Sequence, residues 1–211
     1  MKRGRLYVIS APSGAGKTSL VKALLRDEPR LRLSISHTTR TRRPTEAEGR
    51  EYHFVSKAQF AELVQRGEFL EHAQVFDNNY GTSRAFVDSQ LTQGHDVLLE
   101  IDWQGAQQVR GAMPDCVSIF VLPPARQALA ERLARRATDT PEVIRRRLKD
   151  AAADMGHYRE FDYVVVNDDF DRAVAELGRI IEGRGEDLKA DRPELKPLLA
   201  ELLAGAADCR S

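Results

Sequence analysis

The run Leu6-Tyr7-Val8-Ile9 passes directly into Ser10-Ala11-Pro12-Ser13-Gly14-Ala15-Gly16-Lys17-Thr18-Ser19. Leu6–Ser10 reads as a short buried strand, and the small residues after it as a loop that opens into a helix at Lys17–Thr18. In that setting glycines let backbone N–H groups turn inward around phosphate oxygens. Lys17 adds a point charge for the outer phosphates, and Thr18 offers a hydroxyl to Mg²⁺. The opening helix aims the positive end of its dipole at the anion. Residues Ala11, Pro12, Ser13, Gly14, Ala15, Gly16, Lys17, Thr18 and Ser19 are therefore expected to bind the phosphates of a nucleoside triphosphate. The pattern G-x-x-x-x-G-K-[ST] has one departure here, Ala11 in place of the first glycine.

Similar apolar runs recur at Val97–Ile101, Val117–Leu122 and Tyr163–Val166, short, rich in Val and Ile, and separated by helical patterns. That spacing predicts an α/β fold, a P-loop-type parallel sheet flanked by helices. The stripe Val174, Leu177, Ile180 and Ile181 predicts a helix that starts near Asp168–Asp171 and stops at Gly183. Residues 37–90 interrupt the alternation. They hold an alternating segment at Glu51–Val55, a helix at Lys57–Arg66 with Ser56 and Gln59 as its capping box and Gly67 as its stop, and a strand candidate at Phe69–Phe76. This is too long for a connection and reads as an inserted α+β subdomain. Residues 125–157 form a second interruption, helical and rich in arginine, with Thr140 and Pro141 as N-cap and first helical position. This reads as a closing lid. The core then comprises residues 1–36, 91–124 and 158–211.

The 211 residues fit one globular domain with insertions. Lysine plus arginine and aspartate plus glutamate each total 32, a formal net charge of zero, which argues against a general nucleic-acid binder. Cys116 and Cys209 make no metal spacing, so a reducing cytoplasm is expected. The basic start Met1–Arg5 leads into an apolar run too short for a signal peptide, and no segment approaches the ~20 apolar residues of a membrane span. The stripe Leu195, Leu198, Leu199, Leu202 and Leu203 reads as a docking helix, with a homo-oligomer contact left open.

Three arginines fall within four positions at Arg40-Thr41-Arg42-Arg43. Downstream come Tyr52, Phe69-Leu70-Glu71 and Tyr80-Gly81-Thr82. Arginine forks bind phosphate bidentately, and tyrosine hydroxyls complete such a site. A carboxylate in the same subdomain invites a base with adjacent N–H donors. Guanine has such a pair, whereas adenine presents an acceptor at that ring position. Singly, an arginine cluster reads as a solvated face and Glu71 as a surface carboxylate; the histidines at 37, 53, 72, 95 and 157 have no metal spacing.

Taken together, Ser10–Thr18, Ser36–Arg43, Tyr52, Phe69–Glu71, Tyr80–Thr82, Glu100-Ile101-Asp102, Arg132–Arg136, Arg147 and Val166–Asp169 resemble the guanylate kinase family, in its order over residues 4–183. The resemblance implies phosphoryl transfer from ATP to GMP with Mg²⁺. It implies Arg40, Arg43, Tyr52 and Tyr80 as the GMP phosphate clamp. Glu71 becomes the guanine reader, helped by Ser36, Thr82 and Asp102. Arg136 and Arg147 become lid arginines on the ATP phosphates, with Arg132 a third, and Asn167 the adenine contact. Asp102 serves guanine or, through water, Mg²⁺; both roles stay open. Ala137 stands where glycine is common. A kinase of another monophosphate would lack Glu71 with Ser36. A kinase of a phosphorylated ribose would need no base reader. A phosphopeptide-binding domain of the same lineage would lose residues such as Lys17, Thr18, Arg136 and Arg147, which this chain keeps.

Overall fold

The computed structural model describes residues 3–75, 77–134 and 141–204, with backbone alone for 141–146. In chain order they form β1 (Leu6–Ser10), α1 (Lys17–Asp27), β2 (Leu31–Leu33), β3 (His37–Thr38), β4 (His53–Phe54), α2 (Lys57–Gln65), β5 (Phe69–Val75), β6 (Asn78–Ser83), α3 (Arg84–Thr92), β7 (Asp96–Glu100), α4 (Trp103–Ala112), β8 (Val117–Leu122), α5 (Arg126–Ala134), α6 (Pro141–Met155), β9 (Tyr163–Val166), α7 (Phe170–Ile181) and α8 (Lys196–Leu203). The central sheet has the order β2-β7-β1-β8-β9, and its pairs β2–β7 and β8–β9 are parallel. Its strands are buried on both faces at Val8, Ile9, Val97–Leu99, Ile119–Leu122, Val164 and Val165, as a sheet flanked by helices requires. The α/β expectation is met.

Two compact units divide the chain, Met1–Val8 with Pro29–Val117, and Ile9–Glu28 with Ser118–Ser211. The first unit carries a second, four-stranded sheet in the order β4-β3-β6-β5. Helix α2 has the expected capping box: Ser56 Oγ accepts from the Gln59 N–H and Gln59 Oε1 from the Ser56 N–H. Phe60 of this helix packs against Phe69, ring centroids 4.8 Å apart. Strand β5 starts with a bulge. Phe69 pairs with Ser83 and Glu71 with Thr82, which leaves Leu70 as an extra residue. Phe69, Leu70 and Glu71 are consequently all buried, against the alternation of a regular strand.

In the second unit α1 packs against α7, whose buried stripe is Ala173, Val174, Leu177 and Ile180 and whose N-cap is Asp169. Helices α5 and α6 meet through Leu129, Leu133, Leu148 and Ala151. Helix α8 packs on α6 with Leu199 and Leu202 buried, the docking role expected of its stripe. Thr140 lies outside the described residues.

Three local expectations are corrected. The alternating Glu51–Val55 forms a strand over His53–Phe54 alone. Tyr52 is drawn into a turn, its carbonyl accepting from the Gly49 N–H at 2.9 Å, and Glu48 Oε2 takes the Phe54 N–H at 2.9 Å in place of a neighbouring strand. Strand β7 begins one residue early, at Asp96, whose carboxylate receives the Arg5 N–H at 2.7 Å, and ends at Glu100, just before the N-cap Asp102 that opens α4. The predicted helix at Lys57–Arg66 ends at Gln65, with Arg66 as its C-cap.

Candidate active site

The first unit gathers two groups of residues. In one, the Arg40 guanidinium lies against the aromatic pair Tyr52 and Phe54, its carbon 5.3 and 5.9 Å from their centroids. Tyr80, across the sheet on β6, stands 5.8 Å from Tyr52. Arg40 is also held by Glu46: Nη2 donates to Oε1 at 2.7 Å, with the side chains only 17% and 11% exposed. Glu46 Oε2 accepts the Arg43 N–H at 2.9 Å, and Arg40 Nη1 donates to the Thr41 carbonyl at 2.9 Å. The Arg43 side chain is 63% exposed and reaches Glu46 only at 3.9 Å. Burial works against the Arg40 charge, but Glu46 outweighs it and raises its pKa further. Burial likewise resists the Glu46 charge; the donors from Arg40 and Arg43 prevail and lower its pKa. Burial pushes the Tyr52 phenol up to about 12, so it remains a neutral donor. Together these make a preorganised cationic pocket wall with hydroxyl donors, suited to a phosphate.

The other group is built on the bulge. Glu71 is 2% exposed, not the surface carboxylate of the simplest reading. The buried Thr82 Oγ1 donates to Glu71 Oε1 at 2.6 Å. Helix α4 packs on β5, and its Gln108 ties the next residue of the strand at both ends: His72 N–H donates to Oε1 at 3.1 Å and Nε2 donates to the His72 carbonyl at 2.8 Å. Asp102 is the N-cap of α4, its Oδ1 accepting the Gly105 N–H at 2.9 Å and its Oδ2 the Gln104 side chain at 3.0 Å. Ser36 is buried and its carbonyl accepts from the His53 N–H at 2.9 Å. A buried, fixed carboxylate with one oxygen anchored by a hydroxyl can read a paired N–H edge.

The second unit holds the loop of residues 11–16, and α1 begins at Lys17 with Gly16 as N-cap at φ 95°. The start of this helix presents the positive end of its dipole and forms an anion-binding end. Ala15 is the loop's point of attachment. Its carbonyl accepts from Asn167 Nδ2 at 2.7 Å and from Arg132 Nη1 at 3.2 Å, and Arg132 Nη2 also donates to the Asn167 carbonyl at 3.0 Å. A Cβ on Gly16 would stand 2.5 Å from Asn167 Nδ2, so only glycine leaves room for this brace. Gly14, Gly16, Ser19, Arg132, Asn167, Asp168 and Phe170 line a cavity of about 340 Å³. Thr18 is exposed. Arg147 is half-buried on α6, and Arg136 lies outside the described residues.

Residues 3–184 match the family model described as guanylate kinase. The chain belongs to the guanylate kinase family. The guanylate kinase of Alkalilimnicola ehrlichii is 56% identical over 200 residues, 95% of this chain and 98% of the relative. That of Chromohalobacter salexigens is 52% identical over 206 residues, 98% and 96% of the two chains. The crystal structure of guanylate kinase from Anaplasma phagocytophilum has a TM-score of 0.74 at 32% identity, covering 94% of this chain and 95% of that one.

Sequence reasoning missed Glu46, Gln108 and Phe170. An acid three residues after Arg43 and six after Arg40 was a usable signal for a shared counterion. Gln108 and Phe170 had none, since their roles depend on which backbone or cavity they meet.

Proposed function

We propose a division of labour within a chain that transfers the γ-phosphate of ATP to GMP, giving ADP and GDP. The buried Glu71–Thr82 pair carries the reading. A carboxylate fixed in this way suits guanine's ring N–H and exocyclic amine, and it would face the adenine ring nitrogen with repulsion. Arg40, Arg43, Tyr52 and Tyr80 hold the GMP phosphate, Ser36 and Asp102 flank the base, and residues 37–90 act as the acceptor subdomain. Residues Ala11 to Ser19 hold the ATP phosphates, and Lys17 neutralises charge on the outer ones. Asn167 and Phe170 line the adenine side of the cavity.

The acceptor is itself a phosphate, so the protein needs no nucleophile of its own. Its work is positioning and charge neutralisation. Arg136 and Arg147 of the lid, residues 125–157, stabilise charge on the moving group, with Arg132 holding the loop from behind; an arginine in this role is worth on the order of 10³-fold in rate. Closure of that lid keeps water from the phosphoryl group.

Among the described residues no cluster of three or more His, Cys, Asp or Glu could hold a metal. Mg²⁺ fits the site on other grounds: it binds through one or two protein oxygens and substrate phosphates, and the hydroxyl of Thr18 at the start of α1 is such a ligand. When bound, it screens the β- and γ-phosphate charge. Asp102 caps α4 through Oδ1 and accepts the Gln104 side chain through Oδ2, at the end of β7 beside the base-reading group. Among the described residues no helix is long and apolar enough to cross a membrane, and the thiol content suits a cytoplasmic setting. The test is coupled ADP release with GMP, AMP, CMP and UMP, with Lys17→Ala as the inactive control. Turnover with GMP alone is expected; equal turnover with AMP would refute the role of Glu71.

A further inference from the structure

Glycine is a poor choice inside a helix, yet Gly105 occupies the third position of α4 and is buried there. A Cβ built on it would stand 2.4 Å from Glu71 Oε2, 3.1 Å from Glu71 Cδ and 3.3 Å from Asp102 Oδ1. A contact of 2.4 Å lies far inside van der Waals range, so a methyl group at this position must move something. Three ties decide what moves. The backbone of β5 cannot retreat, because Gln108 of the same helix grips both polar groups of His72, the residue after Glu71. The start of α4 is held by the Asp102 cap. The atoms nearest the added methyl, Oε2 and Cδ, are the far end of the flexible Glu71 side chain, which Thr82 ties through Oε1. The displaced atoms are therefore those of the Glu71 carboxylate, and Oε2, the oxygen not engaged by Thr82, is the one struck.

We infer that Gly105 is a specificity-positioning residue: the missing side chain on α4 is the space in which the Glu71 carboxylate takes the pose that reads the base of the acceptor nucleotide. Alanine at this position keeps α4, and as the better helix former leaves the fold at least as stable, while it turns Oε2 away from the base. The inference rests on Glu71 as the guanine reader.

Gly105→Ala, Glu71→Asp and the double variant are compared in steady-state assays with GMP, with IMP, which lacks the exocyclic amine, and with ATP, alongside thermal unfolding. Gly105→Ala is expected to raise the KM for GMP about ten-fold or more and to narrow the preference for GMP over IMP. Relative to the parent, the KM for ATP should not rise and the Tm should not fall. Glu71→Asp, which retracts the carboxylate by one methylene, should raise the KM for GMP alone but cost much less in the Gly105→Ala background than in the parent. A parent-like Gly105→Ala enzyme, equal losses for ATP and GMP, a lowered Tm, or fully additive losses would each overturn the role of Gly105. A Glu71→Asp enzyme with unchanged KM for GMP would overturn instead the assignment of Glu71 on which it rests.

Discussion

Glu71→Gln isolates the base-reading charge with almost no change in shape. In the parent, Thr82 Oγ1 spends its hydrogen on Glu71 Oε1 at 2.6 Å, and the carboxylate as a whole is a pure acceptor. Guanine brings two adjacent donors. The amide has one accepting oxygen and one NH₂ group. If its oxygen stays with Thr82, the NH₂ faces the guanine edge, donor against donor. If it turns over, the hydroxyl of Thr82 must rotate and one guanine donor still goes unmet. Either way one charge-assisted hydrogen bond is lost, about 1.5–3 kcal/mol, or about ten- to hundred-fold in GMP affinity. Folding should respond in the opposite sense or not at all. Glu71 is 2% exposed, and a neutral amide is cheaper to bury than a carboxylate. Titration calorimetry of GMP and ATP, with a thermal melt of the free protein, reads all three quantities. Weaker GMP binding with unchanged ATP binding and an equal or higher Tm is the expected set. Equal losses for both nucleotides, or a Tm several degrees lower, would mean that Glu71 holds the subdomain together and does not read the base.

Asn167→Ala removes the shorter of the two side-chain hydrogen bonds to the Ala15 carbonyl and leaves that from Arg132, a loss of about 0.5–1.5 kcal/mol; a lower Tm and a higher KM for ATP should follow with GMP binding intact, as equilibrium titration of each nucleotide will show. Arg147→Met keeps the stem and deletes the fork, so stopped-flow turnover should fall steeply while GMP affinity holds; lost GMP binding with intact kcat would move Arg147 to the acceptor site. Glu46 titrates below its ordinary value of 4.5, so its contribution to stability is complete above that pH and fades as pH falls through the lowered folded value. Glu46→Gln should therefore flatten the acid limb of the stability profile, measured by denaturant unfolding from neutral pH downward, and should tighten GMP binding at neutral pH.

The loop at residues 10–19 was legible because a phosphate cradle is made by contiguous residues, and three of the four predicted core strands have the bounds their apolar runs imply. The capping box at Ser56 and Gln59 is local chemistry and was equally visible. Strand β6 was not: Asn78-Asn79-Tyr80-Gly81-Thr82-Ser83 has little strand propensity, and its pairing with β5 and β3 makes it a strand. Glu71 was legible as a candidate, but its burial depends on a bulge at Leu70 that no periodicity signals. Arg132 was expected on the phosphates of ATP. Here its guanidinium holds the Ala15 and Asn167 carbonyls, a contact between residues 117 positions apart in the first case.

A carboxylate in the middle of an arginine clamp runs against the simplest electrostatic expectation, and the geometry resolves it. Without Glu46, Arg40 and Arg43 would repel one another while no phosphate is bound, and both forks would have to be ordered by GMP at its own entropic cost. Glu46 meets part of that cost in advance, at a penalty: with the GMP phosphate held by Arg40 and Arg43 as proposed, its charge faces the incoming anion. At roughly 6 Å and an effective dielectric of about 20 the repulsion is about 2–3 kcal/mol, reduced by salt. Replacing the charge while keeping the amide relieves that repulsion. Little preorganisation is lost, because Arg40 keeps the Thr41 carbonyl at 2.9 Å and its stacking on Tyr52 and Phe54. The expected outcome for Glu46→Gln is therefore tighter GMP binding, read by titration calorimetry at neutral pH. The same gain applies to GDP, whose phosphate the clamp must release. Tighter uniform binding does not raise kcat, so a phosphate clamp tempered by Glu46 favours turnover over affinity.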